Sequence, residues 1–199
     1  MKTGESEKKG FTIIEVVLVL AVAGLIFIMV FVALPALQRS QRDNARREDM
    51  MSFIAKAKDY SQNNRGALPG SAEANTDAII NVVWSEALGA TTGNTNTWRG
   101  FYRDFLGKNF LDPDGQNYKL SVMKCGMKTD ESCNETSNVR VKSALDNIYE
   151  TTFPNEYNIL VVLQAKCEGD HVTGSPNPRE LAVLYRLEGS GVYCRSMAD

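Results

Sequence analysis

Residues 11–34 are 24 in number, and only Thr12 and Glu15 among them are polar; from Val16 on, the run is apolar without a break. A helix of that length reaches about 36 Å at about 1.5 Å per residue, enough to cross a hydrocarbon core of about 30 Å. The run therefore predicts a membrane-spanning helix. Glu15 is the odd residue in it. A carboxylate inside such a run costs roughly 2.5–3.5 kcal/mol near the bilayer centre, less near the interface, and normally faces a partner that compensates it.

Two simpler readings are a cleaved secretory signal and a plain anchor. A secretory signal ends its apolar stretch after 7–15 residues in a small-residue cleavage site, whereas this run is longer and Ala33-Leu34-Pro35-Ala36 matches such a site poorly. A plain anchor has no use for Glu15, or for Gly10 followed by Phe11.

The stretch Lys8-Lys9-Gly10-Phe11-Thr12-Ile13-Ile14-Glu15, extended by Ala21, Gly24 and Ala33-Leu34-Pro35-Ala36, resembles the class III signal of type IV prepilins. The resemblance covers residues 8–35. It implies a prepilin peptidase that cuts between Gly10 and Phe11 on the cytoplasmic side and methylates the new amine of Phe11, with the helix retained. It also implies that Glu15 sits opposite the Phe11 amine of a neighbouring subunit in a helical filament, and that the helix bends or loosens between Gly24 and Pro35. Pro35 lies three residues beyond the position usual in many family members. The signal marks a route shared by pilins and pseudopilins.

Residues 1–10 are polar and lack apolar periodicity, so they read as a leader outside the fold. Removing them takes away three lysines and two glutamates, which moves the net charge from −2 to −3 and offers no nucleic-acid surface. Leader lysines favour a cytoplasmic start, yet Arg39, Arg42, Arg46 and Arg47 flank the other end of the run, so basic residues alone do not orient the helix. Beyond Pro35 there is no proline or glycine until Gly66, and the helix is expected to continue to about residue 65. Met50, Phe53, Ile54, Ala57 and Tyr60 fall on one helical stripe, a docking face for a globular domain, while Arg46, Arg47, Lys56, Lys58 and Asp59 occupy the other faces.

Glycine and proline in Gly66-Ala67-Leu68-Pro69-Gly70 stop that helix. Residues 72–88 read as a second helix, 89–97 as a polar loop, and 99–110 as a short helix or aromatic turn whose rings belong to the core. Leu111-Asp112-Pro113-Asp114-Gly115 is a turn; with Tyr118 it resembles the Asp-Pro-x-Gly-x-x-Tyr turn of the major pseudopilin of type II secretion. Residues 118–124, 158–167, 180–188 and 192–194 read as strands, the last two joined by a hairpin at Gly189-Ser190-Gly191, and four antiparallel strands are expected. Residues 139–149 start as a strand and continue as a helical turn.

The chain is thus expected to be α+β. Residues 1–10 are a leader, 11–65 a long helix with its membrane or filament-core part at 11–35, and 66–199 a globular head with a C-terminal antiparallel sheet; the resemblance implies a pilin-like fold. An even set of cysteines in an exported domain favours two disulfides, Cys125 with Cys133 and Cys167 with Cys194, out of three possible connectivities. No metal site is expected: the cysteines lack a C-x-x-C pair, the one histidine, His171, sits in a Gly-Asp-His loop, and the two aspartates at 112 and 114 are too few for calcium. No cofactor or catalysis is expected either, for want of a nucleophile elbow, a phosphate loop or a second histidine.

The resemblance implies a single-pass precursor in the cytoplasmic membrane that ends in an extracellular type IV pilus. That pilus would support adhesion, twitching motility or DNA uptake. Its partners would be the prepilin peptidase, the pilus assembly machinery and further copies of the chain. The alternatives are a pseudopilin of a secretion or competence machine and a membrane-tethered binding domain.

Overall fold

A computed structural model describes residues 10–70, 80–82, 97–125, 158–189 and 191–198. The fold is α+β, a long helix with an antiparallel-rich sheet, and the chain divides into two compact units, Met1–Ser40 and Gln41–Asp199. Helix α1 spans Ile13–Asn63 and so runs through both. It is continuous across Gly24 and carries Pro35 inside it. Proline has no N–H to donate, which leaves the Phe31 carbonyl without its usual partner one turn back.

In the first unit no large apolar side chain of residues 11–37 is less than 48% exposed. By length and composition α1 is able to cross a membrane. From Gln41 on the helix changes character. Met50, Phe53, Ile54, Ala57 and Tyr60 are all buried, which is the stripe read from the sequence. They meet an aromatic layer built by α2 (Trp98–Phe101), the single π-helical turn Tyr102–Leu106 that continues it, and Phe110. Phe53, Tyr60 and Trp98 each meet Phe101 edge to face at 5.7 Å, the geometry that ring quadrupoles favour. Thr97 caps α2 by accepting from the Gly100 amide, and Lys56 donates to the Leu106 carbonyl at the end of the π-turn.

The sheet has the order β1 (Ile80–Val82), β2 (Lys119–Lys124), β3 (Asn158–Leu163), β6 (Leu181–Arg186), β7 (Val192–Ser196). A hairpin of β4 (Ala165–Glu168) and β5 (His171–Gly174) forms a second, two-stranded sheet. Central β3 is buried on both faces because each face has a cover. Ile159, Val161 and Leu163 join the core shared with α1, while Leu160 and Val162 pack with Ala165 and Val172 of the hairpin. Three layers result: helix with aromatics, main sheet, hairpin. The Cys167–Cys194 disulfide, the expected pairing, ties β4 to β7 with their Cα atoms 5.8 Å apart.

Four expectations need correction. The second helix at 72–88 is contradicted at Ile80–Val82, an edge strand antiparallel to β2; the rest of that segment lies outside the described residues. The sheet is not wholly antiparallel, since β2 and β3 run parallel, Lys119 opposite Asn158. Parallel neighbours need a crossover of a dozen residues or more, and 33 residues separate these two strands. The strand read over 158–167 breaks at Gln164, whose φ of 55° turns the chain out of β3 into β4. His171 opens β5 opposite Glu168 rather than sitting in the turn before it. The reading of 139–149 also lies outside the described residues.

Phe53 is fully buried against the rings of Phe101 and Phe110, and its truncation leaves a cavity between them. Phe53→Ala is expected to cost about 3–5 kcal/mol of stability, read as a lower urea midpoint by tryptophan emission of the full chain in detergent. A loss under about 1 kcal/mol would mean that the stripe does not anchor the head.

Candidate functional site: a capped apolar helix and its charge clasp

The first helical turn closes on itself. Thr12 is in the N-cap position; its amide and hydroxyl both donate to a Glu15 carboxylate oxygen at 2.9 Å, and the Glu15 amide donates back to the Thr12 hydroxyl at 3.3 Å. This is a capping box, in which cap and third residue satisfy each other's orphan groups, and a carboxylate at a helix N-terminus also suits the helix dipole. The claim that a plain anchor has no use for Glu15 is therefore overturned: Glu15 has a use within one chain. Thr12 and Glu15 stand at the spacing that announces such a box, so the signal was present in the sequence.

Just ahead of the cap, Phe11 is 90% exposed, and nothing lies within 4 Å of where a Gly10 side chain would begin. Gly24 is equally open. Among the described residues nothing demands glycine at position 10.

At the start of the second unit α1 is fastened by charge. Arg46, with 3% of its side chain exposed, reaches Asp112 through two parallel contacts, Nε to Oδ2 at 2.7 Å and Nη2 to Oδ1 at 2.9 Å. Its remaining N–H groups reach Asp114 at 3.2 Å, Asp43 at 3.4 Å and the Glu188 carboxylate. All five donors of the guanidinium are thereby used. Arg42 grips the same Glu188 in a fork at 2.9 and 2.6 Å. Asp43 accepts from the backbone amides of Glu188 and Gly189, both at 2.9 Å. Tyr185 donates to Asp112 at 3.0 Å, and its ring lies under the Arg46 guanidinium, 5.7 Å to the centroid.

One turn of helix thus holds two distant segments, the 112–115 turn and the 187–191 loop between β6 and β7. The turn is prearranged: Asp112 accepts from Gly115 through its carbonyl and from Asp114 through its side chain, and Gly115 has a φ of 81°. Arg46 was placed on a solvent face of α1, which the structure corrects. Extending the buried stripe backward from Met50 by helical steps lands on Arg46 and then Asp43, so helical spacing was the available signal.

The charges are tuned by this packing. Burial alone would lower the Arg46 pKa, but its bonds to Asp112 and Glu188 outweigh that and hold it above its ordinary value. Hydrogen bonds from Arg42 and then Arg46 pull the Glu188 carboxyl down to about 2. Nearby Asp49 is pushed up by burial although the Tyr118 hydroxyl donates to it at 2.8 Å. Asp112 and Asp114 spend their oxygens on a guanidinium, and among the described residues no group of three or more ligands is arranged to hold a metal ion. Cys125 is disulfide-bonded; Cys133, its expected partner, lies outside the described residues.

No family model, curated protein or solved structure matches this chain.

Arg46→Ala would strand Asp112, whose side chain is fully buried, and is expected to cost about 3–5 kcal/mol in urea unfolding. Arg46→Lys should recover only part of this, because an ammonium lacks the fork; full recovery would mean that charge alone matters. Glu188 sets the acid response. Its folded pKa is depressed, so its contribution is complete above about 4.5 and is lost as pH falls toward 2. Glu188→Gln should flatten this part of the acid limb in pH-dependent unfolding, and an unchanged limb would rule the clasp out as its source.

Proposed function

We propose that this chain is a structural subunit of the type IV pilin class, held in the cytoplasmic membrane by α1 and polymerised with further copies into an extracellular filament. The observation that carries the reading is a helix whose apolar surface over residues 11–37 is bare on every side, capped immediately behind an open Gly10–Phe11 step. A helix apolar all round needs lipid or protein about it. In the membrane, lipid covers it; in the filament, neighbouring copies do, so assembly exchanges one apolar environment for another. The Cys167–Cys194 disulfide supports an oxidising compartment for the head, with residues 41–199 outside and the leader lysines inside. A prepilin peptidase cuts between Gly10 and Phe11 and methylates Phe11, and the pilus assembly machinery takes up the product. In the filament the Glu15 carboxylate turns from Thr12 to the Phe11 amine of a neighbour and sets register, and the helix loosens between Gly24 and Pro35.

Mass spectrometry of filaments sheared from the cell surface should find a peptide beginning at methylated Phe11. If processed chain is present only in membranes, the chain is a pseudopilin or a tethered binding domain instead. Replacing Gly10 with a bulky residue disturbs no contact in the fold, so accumulation of precursor in that variant would report the peptidase's demand, and normal processing would defeat the cleavage claim. Glu15→Gln keeps an acceptor for the cap while losing the charge. It should insert normally yet assemble poorly; normal filaments from it would end the register role.

A further inference from the structure

We propose that the charge clasp is a brake that confines unwinding of α1 around Pro35 to the residues ahead of Gln41. The weak point and the stop are both visible. Pro35 removes one intrahelical hydrogen bond, and residues 36–41 beyond it are exposed on every side. A helix with no tertiary contact loses one hydrogen bond for each residue that unwinds, so an opening at Pro35 spreads easily toward Gln41, while toward Gly24 an apolar environment opposes it.

The first side chains of α1 to be locked by other elements are Arg42, Asp43 and Arg46. Unwinding past Gln41 would break the Arg42–Glu188 fork, take Asp43 from the Glu188 and Gly189 amides, and leave Asp112 buried without its guanidinium. These losses come together, since one helical turn carries all three residues. The apolar stripe begins at Met50, and between it and the clasp α1 is held only by the Tyr118 hydroxyl donating to Asp49 and by Arg47 over the Tyr193 ring among the described contacts. The clasp therefore sets a sharp boundary between a helix segment free to open and one that is not. The use of such a boundary, a segment that loosens during assembly while the head keeps its place on α1, rests on the filament reading; the brake itself does not.

Hydrogen exchange of the full chain in detergent micelles tests this without reading filaments, so its failure and that of the pilin reading are separable. In the wild type, amides 36–40 should exchange about tenfold faster or more than amides 44–49. Arg46→Gln should bring 44–49 to within roughly threefold of 36–40 while 53–57 keep their protection. No step near Gln41 in the wild type, or an undiminished step in Arg46→Gln, overturns the proposal. Should Arg46→Gln also strip protection from 53–57, Glu188→Gln decides, because it weakens both arginine contacts to the 187–191 loop and spares the Arg46–Asp112 fork. A reduced step in that variant supports the brake and an unchanged step ends it.

Discussion

Nothing described in this chain covers the apolar surface of α1 from Ile13 to Leu37, and that deficit dominates its energetics. Burying a large apolar side chain gains about 1.5–3 kcal/mol, so the bare run represents tens of kcal/mol of unmet burial. A folded domain is stable by only about 5–15 kcal/mol. The environment that covers α1 is therefore worth more than the head's own folding, and lipid or another protein has to supply it.

The clasp plays a different part. Taking an arginine and its carboxylates out of water is costly, and a well-made buried pair often does no more than match an apolar substitute. What the clasp contributes is position. Along the stripe, Met50, Phe53, Ile54, Ala57 and Tyr60 recur at helical spacing, and an apolar face of that kind tolerates displacement by one turn. A guanidinium with five donors facing Asp43, Asp112, Asp114 and Glu188 accepts one placement only. The apolar stripe drives docking, and the clasp selects its register.

The parts of this design that depend on local sequence were legible without coordinates. The apolar run, the stripe, the turn at Asp112-Pro113-Asp114-Gly115 and the strands around Val161 and Val183 each announce themselves by period or turn chemistry within a dozen residues. The Cys167–Cys194 link was among the pairings that the even set of cysteines allows. What escaped depends on distance along the chain. Helical spacing puts Arg46 in line with the stripe, but a charge there is ordinarily solvated, and its partner Asp112 is 66 residues away, so nothing local names the carboxylates that bury it. The parallel pairing of β2 with β3 is likewise set by which strands meet across a long connection. Ile80–Val82 is a strand because β2 offers it an edge, and its apolar residues suit a helix equally well. The break at Gln164 is read only from its positive φ.

Glu15 shows how a sound premise can carry too much. An intramembrane carboxylate does need a partner, and the resemblance to type IV prepilins implies a neighbour's amine for that part. Yet Thr12 already meets that need inside one chain, with two donors at 2.9 Å. The mere presence of Glu15 is therefore weak support for polymerisation. The stronger support is where the cap stands: directly behind an exposed step at which glycine has no structural duty. A capping box can stabilise the start of any helix, but among the described residues nothing gives the glycine at position 10 or the exposed Phe11 a folding role. The cleavage proposed above would give that step a reason, with the peptidase as a reader outside the fold.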